Sequence, residues 1–366
     1  MDIRYVIMNM LFDPATRIKK RQSLRRIVNY FLAYYQYYFK HSRLISRPIY
    51  ITVDISNICQ LRCPLCPTGQ VLPGREKKNM SFELFKKIID ELSPYAYGLD
   101  LYHWGEPFFN QDIFKMVKYA VDKGLFTNIS TNFQILFKGK DFFDLLFCGL
   151  HHLIVSLDGS SQESYQKYRI GGDFQRVVEN IKGIIRAKIE LKKRFPFVTL
   201  QFLVNRHNEH EIDKIKLLAK ELQVDQLSLS PILINIKNDI EFKEWLPQDQ
   251  RYSCYDYQNR TKKKRQNNCN WLWLHAVINP DGGVSPCCHV YHTSTDIGNV
   301  VGQNFRAVWN NKFYRDSRRF LKERRIVADS KLPCYFCLKP FIDSDDRQNI
   351  DFVNESLTNK IGIINQ

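Results

Sequence analysis

The chain has 366 residues, of which 44% are apolar and 25% are charged. This composition excludes wholesale disorder and collagen-like repeats, and the length suffices for one large or two modest domains with a buried core. Lys and Arg number 54 against 38 Asp and Glu, so the formal net charge is +16 at pH 7. A surface this basic favours anionic partners: a nucleotide, a phosphorylated substrate, an acidic redox protein, nucleic acid or a membrane surface.

The ten cysteines lie mainly in two groups along the chain. The N-terminus has neither the apolar region nor the cleavage site of a signal peptide, and no run of about 18 apolar residues could span a membrane. We therefore expect a cytoplasmic or membrane-peripheral protein in a reducing compartment. Clustered thiols in such a compartment bind metal or do chemistry.

Residues 1–48 are predicted to be a basic, amphipathic helical extension. Apolar residues recur through 17–42 with a helical period. Six basic residues mark the start of this helix, namely Arg17, Lys19, Lys20, Arg21, Arg25 and Arg26. Two interpretations stay open: the helix lies on an anionic membrane or binds an acidic partner, or it packs against the main domain with its basic end in solvent.

Residues 49–231 alternate between short apolar runs and helical patterns. The strands are predicted at 49–55, 99–102, 126–130, 153–157, 198–204 and 227–229. Helices are predicted at 82–92, capped by Ser81, and at 113–121, 174–189 and 211–222. Such alternation indicates βα units and a parallel sheet, so the predicted fold class is α/β with a partial (βα)6 TIM-like barrel.

The rest of the chain breaks this alternation. Residues 232–268 are polar and are predicted to be a linker. Residues 269–341 hold five cysteines and are predicted to be a small C-terminal domain, with a helix near 305–322. Residues 342–366 form a polar tail without a recognisable motif.

The first cysteine group follows the first predicted strand and reads NICQLRCPLCP over residues 57–67. Cys59, Cys63 and Cys66 are spaced C-x3-C-x2-C. Three thiolates from one short loop suit a cubane iron–sulfur cluster, and three ligands leave one of the four irons open to a small molecule. A structural zinc site is the alternative, but it needs a fourth ligand and residues 67–102 contain no Cys or His.

Cysteines at this spacing after the first strand of a βα barrel resemble those of the radical S-adenosylmethionine (radical SAM) superfamily. In that family the open iron chelates the amino and carboxylate groups of SAM. An electron from the cluster then cleaves SAM to methionine and a 5′-deoxyadenosyl radical. Leu65 departs from the pattern, because many members carry an aromatic residue just before the third cysteine.

Two turns after strands strengthen the resemblance. His103-Trp104-Gly105-Glu106-Pro107 is similar to the family's Gly-Gly-Glu-Pro turn, with Trp104 in place of the first Gly. The resemblance implies that Gly105 and Glu106 hold the SAM ammonium. Ser130-Thr131-Asn132 is similar to the family's Thr-Asn-Gly, with Phe133 in the place of the Gly, and it makes Asn132 a further cofactor contact.

The fourth strand ends in Ser156-Leu157-Asp158-Gly159. By resemblance Ser156 and Asp158 lie near the ribose and methionine parts of SAM, and Arg169 lies near its carboxylate. Polar groups at the carboxyl ends of strands face the ligand crevice, but loop capping or a surface ion pair is the alternative for each. Asn205, after the fifth strand, is a weaker candidate of the same kind.

The second cysteine group reads Cys269-x12-Gly282-x4-Cys287 followed by Cys334-x2-Cys337. The Cx2C pair alone is equally typical of zinc. The whole set resembles the SPASM and twitch auxiliary-cluster domains. No cysteine follows Cys337, so the chain resembles the one-cluster version found in aminocyclitol dehydrogenases and aminoglycoside epimerases. The resemblance implies a second [4Fe–4S] cluster bound by Cys269, Cys287, Cys334 and Cys337, for electron transfer or structure.

Three cysteines remain. Cys288 could replace Cys287 as a ligand, although the Gly-x4-Cys spacing favours Cys287. Cys148, in an apolar stretch, is predicted to be a buried small hydrophobe. Cys254 is either a spare thiol or, in an epimerase, a hydrogen-atom donor, a role that is also open to Cys288.

The resemblance implies a radical SAM oxidoreductase that abstracts hydrogen from an unactivated C–H of a small-molecule substrate. The expected reaction is oxidation or epimerisation of a sugar or aminocyclitol, with the auxiliary cluster accepting the electron and an acidic flavodoxin or ferredoxin donating one. One alternative is a peptide-modifying SPASM maturase. The shortness of the segment before the first strand, which is only 48 residues, argues against this alternative. The other is a non-catalytic metal-binding scaffold for nucleic acid, but the basic residues form no recognisable nucleic-acid motif, so no specific nucleic acid is expected.

Overall fold

The computed structural model describes residues 23–236, 238–263, 269–323 and 334. Its strands are β1 (Tyr50–Val53), β2 (Gly98–Asp100), β3 (Phe126–Thr131), β4 (His152–Ser156), β5 (Phe197–Val204), β6 (Gln226–Pro231), β7 (Tyr255–Asp256), β8 (Thr261–Lys262), β9 (His275–Ile278), β10 (Gly283–Ser285) and β11 (Gly298–Asn299). Its α-helices are α1 (Leu24–Tyr38), α2 (Phe82–Leu92), α3 (Ile113–Asp122), α4 (Gly139–Phe147), α5 (Gln162–Tyr168), α6 (Phe174–Glu190), α7 (Ile212–Glu221), α8 (Asp239–Trp245), α9 (Trp271–Leu274), α10 (Phe305–Trp309) and α11 (Lys312–Glu323).

A nine-stranded sheet in the order β11-β10-β9-β1-β2-β3-β4-β5-β6 organises the molecule. Strands β1 to β6 pair in parallel, in chain order. The predicted α/β fold with six parallel strands in a partial barrel is therefore confirmed. Because the strands are parallel, their carboxyl ends meet at one edge of the sheet, where the loops that follow them converge.

The outward face of the sheet is apolar and is covered by helices. Helix α2 shows why: Ser81 Oγ accepts a hydrogen bond from Leu84 N at 3.2 Å and caps the helix. Its buried residues recur at helical spacing and pack into the core. Helices α4 and α5 were not predicted: α4 has nine residues and α5 has seven, so each offers only about two turns of pattern, and α5 is also polar.

Helix α1 packs against the main domain. Ser23 caps it, and Asn29, Ala33 and Gln36 are buried on its inner side. The Arg26 guanidinium donates to the carbonyl oxygens of Ser93, Lys123 and Gly124. Helix α1 therefore packs against the main domain through this inner side, while residues 17–22 of the predicted helix lie outside the described residues. Within the described part of the chain, no helix combines the length and apolar character that crossing a bilayer requires.

The C-terminal hairpin adds to the sheet instead of folding apart from it. Strand β9 pairs in parallel with β1, and β10 pairs antiparallel with β9. The helix predicted near 305–322 is broken into α10 and α11. The break lies at Asn310, whose side chain exchanges two hydrogen bonds with the backbone of Leu44.

The segment predicted to be a linker, residues 232–268, is folded over most of its length. It contains α8 and the β7–β8 pair, and the structure describes it except for residues 237 and 264–268. Ile232, Ile234 and Tyr255 form a second small core with Leu61 and Cys63 of the first cysteine loop. Apolar residues at alternate positions in an otherwise polar stretch explain this packing. The domain boundaries stay predictions, and the tail 342–366 lies outside the described residues.

Candidate functional site

The three cysteines of the first group lie on one loop that follows β1. Cys63 is buried, and Cys59 and Cys66 are partly buried. The loop folds tightly, because Cys66 N donates to Cys63 O at 3.2 Å. Gly69 closes the loop, since a Cβ there would come within 2.5 Å of Cys63 O. Sequence reasoning missed Gly69; its only signal was a glycine three residues after the last cysteine.

Burial of Cys59 and Cys63 opposes free thiolates at these two positions. Burial raises the pKa of the Cys59 thiol to about 12, and burial also raises the pKa of Cys63. Two donors face the sulfurs: Asn132 Nδ2 lies 3.5 Å from Cys59 Sγ, and Arg169 Nη1 lies 3.9 Å from Cys63 Sγ. Thiolates are stable here only beside a cationic group such as iron, whose binding releases the thiol protons.

The Gly105-Glu106 turn packs against the cysteine loop. Gly105 has no room for a side chain, because a Cβ would lie 2.1 Å from Ser56 O. Glu106 is buried and accepts hydrogen bonds from Thr131 Oγ1 and Asn132 N, both at 2.7 Å. Burial raises the pKa of Glu106 to about 7, although these donors and others lower it. The Glu106 carboxylate thereby connects the turn at 103–107 with the turn at 130–132, both of which were predicted from the sequence as cofactor contacts.

Asn132 sits directly beside the cysteine loop. Its Oδ1 accepts a hydrogen bond from Gln60 Nε2 at 3.1 Å, and its Nδ2 donates to Cys59 Sγ. The next residue, Phe133, has φ = 54°, in the left-handed region that favours glycine. This conformation explains the glycine in the family's motif. Phe133 keeps it through a fully buried ring and a hydrogen bond from its N to Thr131 Oγ1 at 2.8 Å.

Asp158 and Arg169 form a buried ion pair on the Cys63 side of the loop. Arg169 Nε donates to Asp158 Oδ2 at 2.5 Å, and Leu203 N donates to Asp158 Oδ1 at 2.7 Å. Ser156, the last residue of β4, is buried two positions before Asp158. The loop-capping alternative describes the observed contacts of Asn205, which bonds Leu203 O and His207 N within its own turn.

The second cysteine group is brought together in part. Burial raises the pKa of Cys287 well above its ordinary value, and the neighbouring thiols of Cys288, Cys334 and Cys269 raise it further. These thiols are therefore within electrostatic range of one another. Cys337, the fourth predicted ligand, lies outside the described residues.

Two family models match the chain. The radical SAM superfamily model matches residues 53–219, and the model for SPASM, an iron–sulfur cluster-binding domain, matches residues 269–345. The chain thus contains a radical SAM domain followed by a SPASM domain. The radical SAM domain implies a [4Fe–4S] cluster and SAM as cofactors, and the SPASM domain implies auxiliary iron–sulfur binding, as predicted.

Individual relatives are distant. The chain is 26% identical over 189 residues to the PqqA peptide cyclase of Bradyrhizobium diazoefficiens, covering 50% of this chain and 47% of that protein. It is 28% identical over 183 residues to the AdoMet-dependent heme synthase of Methanosarcina barkeri, covering 49% of each. The chain thus spans about half the length of these curated relatives. The crystal structure of Streptococcus suis SuiB bound to S-adenosylmethionine shares the fold, with a TM-score of 0.58 at 15% identity, covering 87% of this chain and 78% of SuiB.

The radical SAM loop fits its cluster. Its donor set is three thiols on one loop, with an amide and a guanidinium facing two of the sulfurs. A [4Fe–4S] cluster takes one cysteine at each ligated iron, so the cysteines need not converge on one point. In the described ranges no three His, Cys, Asp or Glu side chains converge as ligands of a single metal ion. The predicted SAM contacts and auxiliary ligands remain predictions for each residue.

The segment 275–299, which contains β9, β10 and β11 and is called the SPASM hairpin below, is joined to the radical SAM domain by polar contacts. His103 Nε2 lies 3.0 Å from Cys288 O, and Trp104 Nε1 donates to Val290 O at 3.2 Å. Trp104 stands where the family's turn has its first glycine, and this hydrogen bond gives the tryptophan a structural role at the junction. The fully buried Arg75 side chain completes the junction by pairing with Asp281 and Asp296. Sequence reasoning missed Arg75, because one arginine in a polar loop carries no signal of burial.

The two candidate hydrogen donors lie at different places. Cys254 packs at the edge of the small core that also contacts Cys59 and Cys66, on the radical SAM side. Cys288 lies on the hairpin, and its carbonyl oxygen faces His103. Cys148 is buried in the main core, and its Sγ lies 3.2 Å from Leu145 O, as predicted for a small hydrophobe.

The inner face of the barrel carries polar side chains, which sequence reasoning also missed. Tyr50 Oη donates to Asp100 Oδ1 at 2.7 Å, and Asn128 Nδ2 donates to the same oxygen at 2.9 Å. Across the sheet, His152 Nε2 lies 2.8 Å from Thr199 Oγ1. The sequence signal for this face was the recurrence of polar residues at alternate positions within apolar strands, because successive side chains of a strand point to opposite faces of the sheet.

Burial shifts the titration of this inner face. The pKa of Asp100 is raised to about 6, and the pKa of His152 is lowered to about 4, in both cases chiefly by desolvation. The imidazole of His152 is therefore neutral at pH 7 and can both donate and accept hydrogen bonds. Asn128 Oδ1 and Asp54 Oδ1 are buried and have no hydrogen-bond partner among the described residues.

Proposed function

We propose that this chain is a radical SAM oxidoreductase that oxidises or epimerises a small polar substrate, such as a sugar or an aminocyclitol. The first cluster, when bound, supplies the electron that splits SAM into methionine and a 5′-deoxyadenosyl radical, which takes a hydrogen atom from the substrate. An alcohol carbon that loses this hydrogen atom must also lose one proton and one electron to become a carbonyl. A cluster held by Cys269, Cys287, Cys334 and Cys337 would provide the acceptor for that electron.

The polar inner face of the barrel supports this substrate class. Burying an unpartnered amide or carboxylate oxygen costs about 1–3 kcal/mol. Asn128 Oδ1 and Asp54 Oδ1 both bear this cost unless a ligand or water meets them. Hydroxyl and amino groups of a small polar molecule match these acceptors, while an apolar substrate would leave them unpaired.

The cysteine count supports a single auxiliary cluster. The second group contains Cys269, Cys287, Cys334 and Cys337, which are the four ligands of one cubane, with Cys288 as a spare. A cubane with four protein thiolates has no open iron. Such a cluster can accept an electron without binding the substrate, which is the role the proposal gives it.

A peptide substrate is the second candidate, and the names of one relative and one solved structure support it. One relative is named a PqqA peptide cyclase, and a SuiB structure contains the precursor peptide SuiA; that structure has a TM-score of 0.56 at 15% identity, covering 86% of this chain and 77% of SuiB. The electron donor is proposed to be an acidic flavodoxin or ferredoxin, because the net charge of this chain is +16.

The test is SAM cleavage by the anaerobically reconstituted protein with dithionite, followed as 5′-deoxyadenosine by mass spectrometry. Inositols, amino sugars and sugar phosphates are compared with short peptides as stimulants. We expect a polar small molecule to stimulate cleavage and either to lose two hydrogens, if it is oxidised, or to change configuration at one carbon with no change of mass, if it is epimerised. Stimulation by peptides alone would contradict the proposed substrate class, and no cleavage with any of them would contradict the enzyme.

Asp100→Asn provides the variant for this test. It preserves the shape of the side chain but removes its negative charge and one acceptor oxygen. We expect about a tenfold or greater loss of substrate-stimulated cleavage, with the unstimulated cleavage and iron content retained. Leu217→Ser, an exposed change on α7, is the matched control and should behave as the wild type.

A further inference from the structure

The outer side of helix α1 carries a continuous apolar stripe. Its residues follow one another at intervals of four and three and are Leu24, Val28, Phe31, Tyr35 and Tyr38. All five side chains are exposed, with exposed fractions of 75% for Leu24, 67% for Phe31 and 77% for Tyr38. Single exposed apolar residues are ordinary, but a contiguous stripe along a whole helix marks an interaction surface.

The geometry of the helix keeps this stripe outward. Positions 29, 33 and 36 lie on the opposite side of the helix and are buried against the domain. Asn29 Oδ1 accepts a hydrogen bond from Arg47 N at 2.8 Å, and Gln36 Oε1 accepts one from Ser46 N at 3.0 Å. The helix is thus fixed lengthwise on the domain, and the stripe extends past its end through the exposed Phe39 and Ile45.

Charge identifies the kind of partner. Residues 14–53 contain nine Lys and Arg and no Asp or Glu. Among them, Arg25 and Arg43 are exposed at the two ends of the stripe. A second copy of the chain would bring two such segments together, and their like charges would repel. An anionic surface is complementary to the basic residues at both ends of the stripe.

The residue types fit a bilayer interface. Phe and Tyr combine apolar rings with, in Tyr, a hydroxyl that stays at the polar level, and such side chains are enriched where lipid meets water. Basic residues beside an apolar helix face are the combination by which interfacial helices bind anionic lipids. We propose that the stripe on α1 binds the surface of a membrane that contains anionic lipids, with the helix lying in the plane of the interface.

The experiment is flotation of the full-length, cluster-loaded protein with lipid vesicles. Vesicles of phosphatidylcholine alone are compared with vesicles that also contain phosphatidylglycerol. We expect binding to the anionic vesicles only, and its loss in high salt. Leu24→Ser/Phe31→Ser should weaken the binding about tenfold or more, because it removes two apolar anchors.

The control variant is Leu217→Ser, whose wild-type side chain is 70% exposed on α7. It should bind vesicles as the wild type does. Iron content and circular dichroism check that the double variant is folded, as expected for exposed positions. The proposal is overturned if the wild type binds neither kind of vesicle, or if the double variant binds vesicles as well as the wild type does. It is also overturned if the wild type self-associates and the double variant does not, because the stripe would then be a contact between copies of the chain.

Discussion

The junction between the SPASM hairpin and the radical SAM domain depends on the Arg75 guanidinium. Its side-chain hydrogen bonds to the described residues all go to the hairpin: Nε donates to Tyr291 O at 3.0 Å, Nη1 pairs with Asp281 and Nη2 pairs with Asp296. The Arg75 side chain is fully buried, while the Asp281 and Asp296 side chains are 25% and 13% exposed. Arg75→Met keeps the length of the side chain and removes its charge and all these hydrogen bonds.

Removing one partner of a buried ion pair costs about 3–5 kcal/mol, because the other charge stays buried without compensation. Water can reach part of Asp281, so we expect the lower end, about 3 kcal/mol of unfolding free energy at pH 8. The loss should depend on pH. In the wild type, burial raises the pKa of Asp296 to about 6, although Arg75 lowers it. Without Arg75 this folded-state pKa rises further above the unfolded value of about 4.

The sign follows from proton binding. A folded-state pKa above the unfolded one means that the folded protein holds the proton more tightly, so stability falls as pH rises through the interval between them. A protonated Asp296 needs no counter-charge, so the destabilisation should shrink at about pH 5. The assay is the urea midpoint of the reconstituted protein at both pH values, followed by tryptophan fluorescence.

The control is Arg251→Met, which breaks an ion pair whose arginine is 82% exposed and should leave the midpoint unchanged. An Arg75→Met variant as stable as the wild type at pH 8 would refute the reasoning, because the junction would then not depend on this charge. Equal destabilisation at both pH values would refute the part assigned to Asp296.

Two further predictions concern the cluster sites. Gly105→Ala places a Cβ 2.1 Å from Ser56 O, so the turn must move away from the cysteine loop. We expect the iron content to fall from about eight to about four atoms per chain. The control is Gly139→Ala, where nothing lies within 4 Å of the added Cβ, and this variant should keep its full iron content. Lys40 lies within electrostatic range of Cys269, and the thiol raises the pKa of that lysine against the larger effect of burial. Lys40→Met removes a positive charge and should lower the reduction potential of the auxiliary cluster by on the order of tens of millivolts. The control, Lys40→Arg, keeps the charge and should have a reduction potential near that of the wild type. An unchanged potential of Lys40→Met in redox titration would show that Lys40 is too far from the cluster to affect it.

Local patterns in the sequence were enough to predict the barrel. Each of the six parallel strands was found within a few residues, because a buried strand must be apolar on the face that meets the helices. The cysteine loop was found for a related reason, since cluster ligands from one loop need a fixed local spacing. These features depend on neighbours in the sequence.

The features that were missed depend on distant residues. Strand β9 joins β1 across more than two hundred positions, and Arg75 meets Asp281 and Asp296 at a similar separation. No local pattern indicates such pairing. The buried side of α1 was not predictable either, because it carries Asn29, Ala33 and Gln36, whereas the large apolar residues of the helix lie on its exposed side.

The most direct test of the account is the iron and sulfide content per chain after anaerobic reconstitution, measured with 5′-deoxyadenosine formation. Wild type is compared with the triple variant Cys59→Ala/Cys63→Ala/Cys66→Ala. We predict about eight irons in the wild type and about four in the variant, with SAM cleavage lost in the variant alone. Zinc in place of iron, or a wild type that cleaves no SAM, would contradict the assignment of a radical SAM enzyme with one auxiliary cluster.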